Sequence, residues 1–108
     1  MDNELFELSK KVYGATAWHN GKWMGYYTGV PLYTSDYLLE KLPKMFVGDH
    51  EDGEGEFWLA LFPEKDHWTA CYPLDSDEYH IRHSVHSDTP LKSLLKLTLA
   101  LSESGELK

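Results

Sequence analysis

Glu56-Phe57-Trp58-Leu59-Ala60-Leu61-Phe62, bounded by Gly55 and Pro63, is the stretch on which the architecture of this chain turns. Six consecutive apolar residues in a seven-residue segment are too few for a helix and suit a central β-strand. The segment does not alternate between apolar and polar, so it predicts a strand whose two faces are both covered. The residues C-terminal to it support a sheet. Pro63-Glu64-Lys65-Asp66 reads as a turn, and His67 to Tyr72 returns with Trp68, Ala70 and Tyr72 on one face. Pro73 to Asp77 is a second polar turn, and Tyr79 to Val85 the next strand, which makes an antiparallel meander. Before the apolar stretch, five of the eight residues from Asp49 to Glu56 are acidic and two are Gly, the composition of a solvated loop.

Helices flank this sheet. Asp2 or Asn3 caps the first, Leu5, Leu8 and Val12 form its apolar stripe, and Gly14 is its natural stop. Thr34 or Ser35 caps the second, whose buried face is Leu38, Leu39 and Leu42. Pro43 ends or kinks it, with Met45, Phe46 and Val47 continuing the apolar cover. The last helix has Thr89 as cap, Pro90 in its first position, leucines 91, 94, 95, 97, 99 and 101 for the core, and Gly105 as terminator. Between the first two helices, Asn20-Gly21 flanked by Ala17-Trp18-His19 and Lys22-Trp23-Met24 predicts a two-residue hairpin. The expected class is α+β, in one domain over residues 1–108: a small antiparallel sheet (meander plus N-terminal hairpin or strand) with helices on both faces.

Ten basic residues against eighteen acidic ones give a net charge of -8 and a pI near 5.1, with 42% apolar and 14% aromatic residues. That is a globular composition, not a disordered acidic tail. The charge argues against sequence-general binding of DNA or RNA, which needs clustered Lys and Arg. No apolar run reaches the ~20 residues of a membrane span. The acidic start Met1-Asp2-Asn3-Glu4 is unlike a basic secretory leader, and the lone Cys71 suits a reducing compartment, so the expected location is the cytoplasm.

No catalytic set is readable, and no cofactor is expected. His80, His83 and His86 invite a metal reading, but on a strand His83 points away from the other two. His19, His50 and His67 are scattered. The acidic loop fails as an EF-hand in both registers: counted from Asp49, Gly53 stands at position five and Ala60 at twelve; counted from Gly48, the first ligand is a Gly and the last is Leu59. Nothing lowers the pKa of Cys71, and neither a nucleophile elbow nor a phosphate loop is present. Two segments remain as candidates for recognition. One is the aromatic, Gly-punctuated stretch with Trp18, Trp23, Tyr26, Tyr27 and Tyr33; the other is the acidic set Asp49, Glu51, Asp52, Glu54 and Glu56. Three further acids lie in Asp75-Ser76-Asp77-Glu78.

Lys10-Lys11-Val12-Tyr13-Gly14, Val30-Pro31-Leu32-Tyr33-Thr34-Ser35-Asp36 and Ser87-Asp88-Thr89-Pro90-Leu91-Lys92-Ser93-Leu94-Leu95-Lys96-Leu97 resemble, in order and spacing, the phage ABA-sandwich domain family. The resemblance implies a three-layer α/β/α sandwich and a phage or prophage origin, and it offers no catalytic residues. The expected function is therefore that of a non-enzymatic module that binds a host or phage protein, one with a basic surface that an acidic chain can occupy in place of nucleic acid. The alternative is a nucleotide or sugar site on the aromatic segment, and a homodimer would form through a sheet edge or through that same segment.

Overall fold

The computed structural model describes residues 3–25, 28–50, 53–74 and 81–107, with the backbone alone for 49 and 50. The fold is α+β, with three helices and two small antiparallel sheets among the described residues. α1 (Asn3–Thr16) turns Val12 into the core, with Leu5 and Leu8 packed against it. It runs through Gly14, the expected stop, and ends at Ala17, which takes the left-handed φ of 58°. The end is tied locally: Thr16 Oγ1 donates to the Val12 carbonyl at 2.7 Å and accepts from the Trp18 N–H at 3.1 Å.

The other two helices begin where their caps indicate. α2 (Ser35–Lys41) starts at Thr34, whose side chain accepts from the Tyr37 N–H, and it is finished at Leu42, one residue before Pro43. α3 (Pro90–Glu103) starts at Thr89 with Pro90 in the first turn, and Gly105 comes after its end with φ 79°. Leu94, Leu95, Leu97 and Leu101 on α3 are wholly buried. The Lys92 ammonium, itself nearly buried, lies 3.1 Å from both Glu4 and Asp88 and so joins the start of α1 to the start of α3.

The strands depart most from expectation. β1 (Met45–His50) and β2 (Gly53–Trp58) form a two-stranded ribbon; β3 (Ala60–Pro63), β4 (Trp68–Pro73) and β5 (Ile81–Ser87) form the second sheet in that order. The apolar stretch is thus not one central strand with two covered faces. It changes sheets at Leu59, whose N–H bonds to the Lys44 carbonyl at 2.9 Å. β3 is an edge strand of its sheet, and Trp58 and Phe62 are exposed. The solvated loop from Asp49 to Glu56 is likewise corrected: its flanks pair in register, Gly48 with Gly55 and Asp49 with Glu54, and Met45-Phe46-Val47 belong to the same ribbon. The residues between them, 51 and 52, lie outside the described residues.

The N-terminal hairpin is displaced too. Gly21 has the positive φ of 82°, but the pairing is between Trp23 and Pro31, with Met24 N–H to Val30 O and Leu32 N–H to Lys22 O at 2.8 and 2.9 Å. The longer turn inside it is bent by Gly25 and Gly29, both at positive φ, so Asn20-Gly21 only leads into it.

α3 is the hub. It packs on β3, β4 and β5, and both other helices pack on it. Ser93 Oγ donates to the Trp68 carbonyl at 2.8 Å, fixing helix to sheet. The ribbon reaches this core through Phe57, through a bridge from Phe57 to Leu74, and through Phe46, whose ring meets Tyr72 edge-on at 4.6 Å.

Candidate functional site

The aromatic segment divides between core and surface. Tyr33 is only 2% exposed, stacks on Tyr37 and donates its hydroxyl to the Trp18 carbonyl at 2.5 Å. Burial pushes its pKa up to about 12. It is therefore a core residue and leaves the set of candidate contacts. Trp18 is half-buried and packs against the core. Trp23 alone of the three described rings is open, at 40%, in an edge-on contact with Tyr13 at 5.7 Å and 5.0 Å from His19. Tyr26 and Tyr27 lie outside the described residues. Beside this segment a pocket of about 150 Å³ is lined by Ala15, Thr16, Trp18 and Leu107. Pockets that enclose drug-sized ligands run from roughly 300 Å³ upward, about twice this volume.

The ribbon offers a better-formed surface. Residues opposite each other on antiparallel strands share a face, as do residues two apart. Phe46 and Phe57 are paired and face the core; Gly48 and Gly55 come next on the same face. A Cβ on Gly48 would stand 2.5 Å from an Arg82 nitrogen and 3.2 Å from the Phe57 ring, so glycine there lets Arg82 lie against the ribbon. The pairs Met45–Trp58 and Val47–Glu56, with Glu54, alternate onto the other face. On it Val47 is 61% and Trp58 46% exposed, Glu54 and Glu56 are exposed, and the Trp58 indole N–H reaches the Glu56 carboxylate at 3.3 Å. Met45, Val47 and Trp58 make an apolar patch at one end of this face, and Glu56 and Glu54 continue it toward the turn. Glu51 and Asp52 fall between the strands and lie outside the described residues, as do Asp75, Asp77 and Glu78. Sequence reading found the acids of this surface but missed Val47 and Trp58, which it assigned to covered positions. The period-two order Glu54, Glu56, Trp58 was the signal available.

The histidines also differ from their simple alternation. β5 carries a bulge: Ala70 pairs with Val85 but Tyr72 with Arg82, and His83 takes φ 55°. The bulge sends His83 to Glu106, 3.1 Å away, where Arg82 binds the same carboxylate at 2.7 Å. His80 lies outside the described residues. His67 and His86, far apart in sequence, stand with ring centroids 5.0 Å apart beside Glu64. Cys71 is buried, and burial pushes its thiol pKa up, as expected of an inert thiol. Among the described residues no helix is long and apolar enough to cross a membrane. Comparison with protein-family models, with curated proteins and with solved structures finds no match to the chain.

Proposed function

We propose that this chain is a non-enzymatic protein-binding module that engages a Lys/Arg-rich protein surface through the outer face of the β1–β2 ribbon. The observation that carries the reading is the exposure of Val47 and Trp58 beside Glu54 and Glu56. Trp is among the residues that most often dominate binding energy, and its ring accepts an Arg guanidinium stacked over it. The carboxylates beside it favour a cationic partner and repel nucleic acid, in keeping with the net charge of -8. Among the described residues no strand pairs with the free edge of β1, which leaves backbone groups for an added strand. The charge favours a basic, nucleic-acid-binding protein as partner, the ribbon occupying its groove as DNA would, and the phage origin that the resemblance implies would make that partner a host protein.

The test uses a fluorescent arginine-rich peptide and fluorescence anisotropy. Saturable binding that weakens with salt is expected, falling roughly 30-fold in Trp58→Ala and about 5- to 30-fold in the Glu54→Gln, Glu56→Gln double variant. The chain should also displace a labelled DNA duplex from a histone. Binding that ignores salt and these three positions, or that is absent, overturns the reading.

A further inference from the structure

The β3–β4 hairpin closes on Glu64 and His67, with the Glu64 N–H donating to the His67 carbonyl at 2.7 Å and Lys65 and Asp66 forming its tip. A closing pair shares one face of the sheet, His67 shares that face with Thr69 two residues on, and Thr69 is in register with His86 on β5. Strand register thus collects Glu64, His67, Thr69 and His86 from three segments of the chain. One ligand atom from each of Glu64, His67 and His86 lies within 4.8 Å of the others.

The hydrogen bonds around these groups orient them as a ligand set. His67 Nδ1 is 2.9 Å from the Asp66 carboxylate and Nε2 is 3.3 Å from Glu64 Oε2. Both carboxylates are acceptors only, so without a metal the ring donates from each nitrogen, and a cation between Nε2 and Glu64 takes the place of the Nε2 proton while Nδ1–H stays on Asp66. Thr69 gives its hydroxyl proton to Glu64 Oε1 at 2.5 Å, and the Thr69 oxygen stands 2.8 Å from His86 Nδ1. With its proton committed, that oxygen accepts from His86 Nδ1–H, which leaves His86 Nε2 with a free lone pair. Each donor therefore has its second polar atom held by a neighbour. Imidazole–carboxylate and imidazole–hydroxyl contacts of this kind fix metal-bound histidines.

We propose that Glu64, His67 and His86 form a binding site for a borderline divalent cation, zinc foremost, with Asp66 and Thr69 as positioning residues and water completing the coordination. Two imidazoles and one carboxylate suit zinc better than calcium or magnesium, which take oxygen donors. Ligand atoms about 2.0–2.1 Å from a tetrahedral zinc are about 3.4 Å apart. His67 Nε2 and Glu64 Oε2 already meet that separation, and a ring nitrogen of His86 lies within 4.8 Å of the ligand atoms of both. This set differs from His80, His83 and His86, where the sequence suggests looking: it takes only His86 from that run, and its other two members come from the neighbouring hairpin.

Zinc titration by calorimetry of the chelator-stripped chain at neutral pH tests the assignment. One equivalent per chain is expected, accompanied by a rise in Tm. His67→Gln, His86→Gln and Glu64→Gln should each weaken binding at least tenfold. Asp66→Asn should weaken it about tenfold through His67 alone, with the Tm of the metal-free chain and its circular dichroism unchanged. His19→Gln and His83→Gln should bind as the parent does. No saturable uptake, or uptake that survives His67→Gln and His86→Gln or is lost in His83→Gln, overturns the proposal.

Discussion

Glu106 holds a backbone that would otherwise relax. His83 sits at φ 55°, a conformation that costs a residue with a Cβ roughly 1–2 kcal/mol, and its ring is tied to Glu106 Oε2 while Arg82 binds Oε1 through two nitrogens, at 2.7 and 3.1 Å. Burial by itself would raise the carboxyl pKa of Glu106; the hydrogen bonds from His83 and Arg82 outweigh it and hold the group below its ordinary value of 4.5. A carboxyl depressed in the folded state adds stability above its unfolded pKa and loses it as pH falls through the folded one. Glu106→Gln is expected to destabilise by about 1–2 kcal/mol at neutral pH. Urea unfolding should show the gap to the parent shrinking as pH drops below 4.5. A gap that stays constant into acid would assign the effect to packing instead of charge.

At the scale of the elements, α1 has its glycine and alanine in the unexpected places. Gly14 is inside the helix, where an added Cβ meets nothing within 4 Å, while Ala17 occupies the left-handed position that ends it. Gly14→Ala should stabilise by roughly 0.5–1 kcal/mol, and Ala17→Gly by up to about 1 kcal/mol. Calorimetry would register each as a rise of a few degrees in Tm; a fall in either variant would mean that this helix end is placed otherwise. The same pair explains what could be read in advance. Thr34 and Thr89 announce their helices because a cap acts on an N–H three residues away, and Pro90 and Gly105 are as local. Gly14 misled because helix extension is settled by Val12 and its core neighbours, not by one permissive residue. Phe57 to Phe62 misled for a related reason: a run with no polar residue carries no register, so only the competing pairings, Lys44 with Leu59 and Ala60 with Cys71, reveal that it serves two sheets. The acids hide β1 and β2 because five charges in eight residues have the composition of a solvated loop and mask the period-two order Glu54, Glu56, Trp58. His67 and His86 are joined only by the Thr69–His86 register, which no local pattern encodes.

For the whole molecule, stability is concentrated in α3 and its sheet, and the ribbon stands toward the periphery. The principal extents of 51 × 33 × 19 Å and a radius of gyration of 14.5 Å, against about 13 Å for a compact chain of this length, describe an elongated body. The ribbon's inner face reaches the core through Phe46 and Phe57; its outer face is given to solvent. Truncating Leu95, fully buried on α3, removes packing at the hub and should cost about 2–5 kcal/mol, a large part of the roughly 5–15 kcal/mol that holds such a domain together. Val47→Ala, on the exposed face, should stay within about 0.5 kcal/mol. Amide exchange separates the two regions directly. The amides of β4, between two strands and beneath α3, should open only with the whole molecule, whereas those of β1 and β2 should exchange through a local opening of lower free energy. Leu95→Ala should then speed exchange in β4 by the full loss of global stability and leave the ribbon nearly unchanged, because the ribbon's opening does not pass through α3. Equal acceleration in both would make the chain one cooperative unit. A ribbon that opens on its own is also one that can re-form against a partner strand, so the expected local opening and the proposed binding belong to the same element.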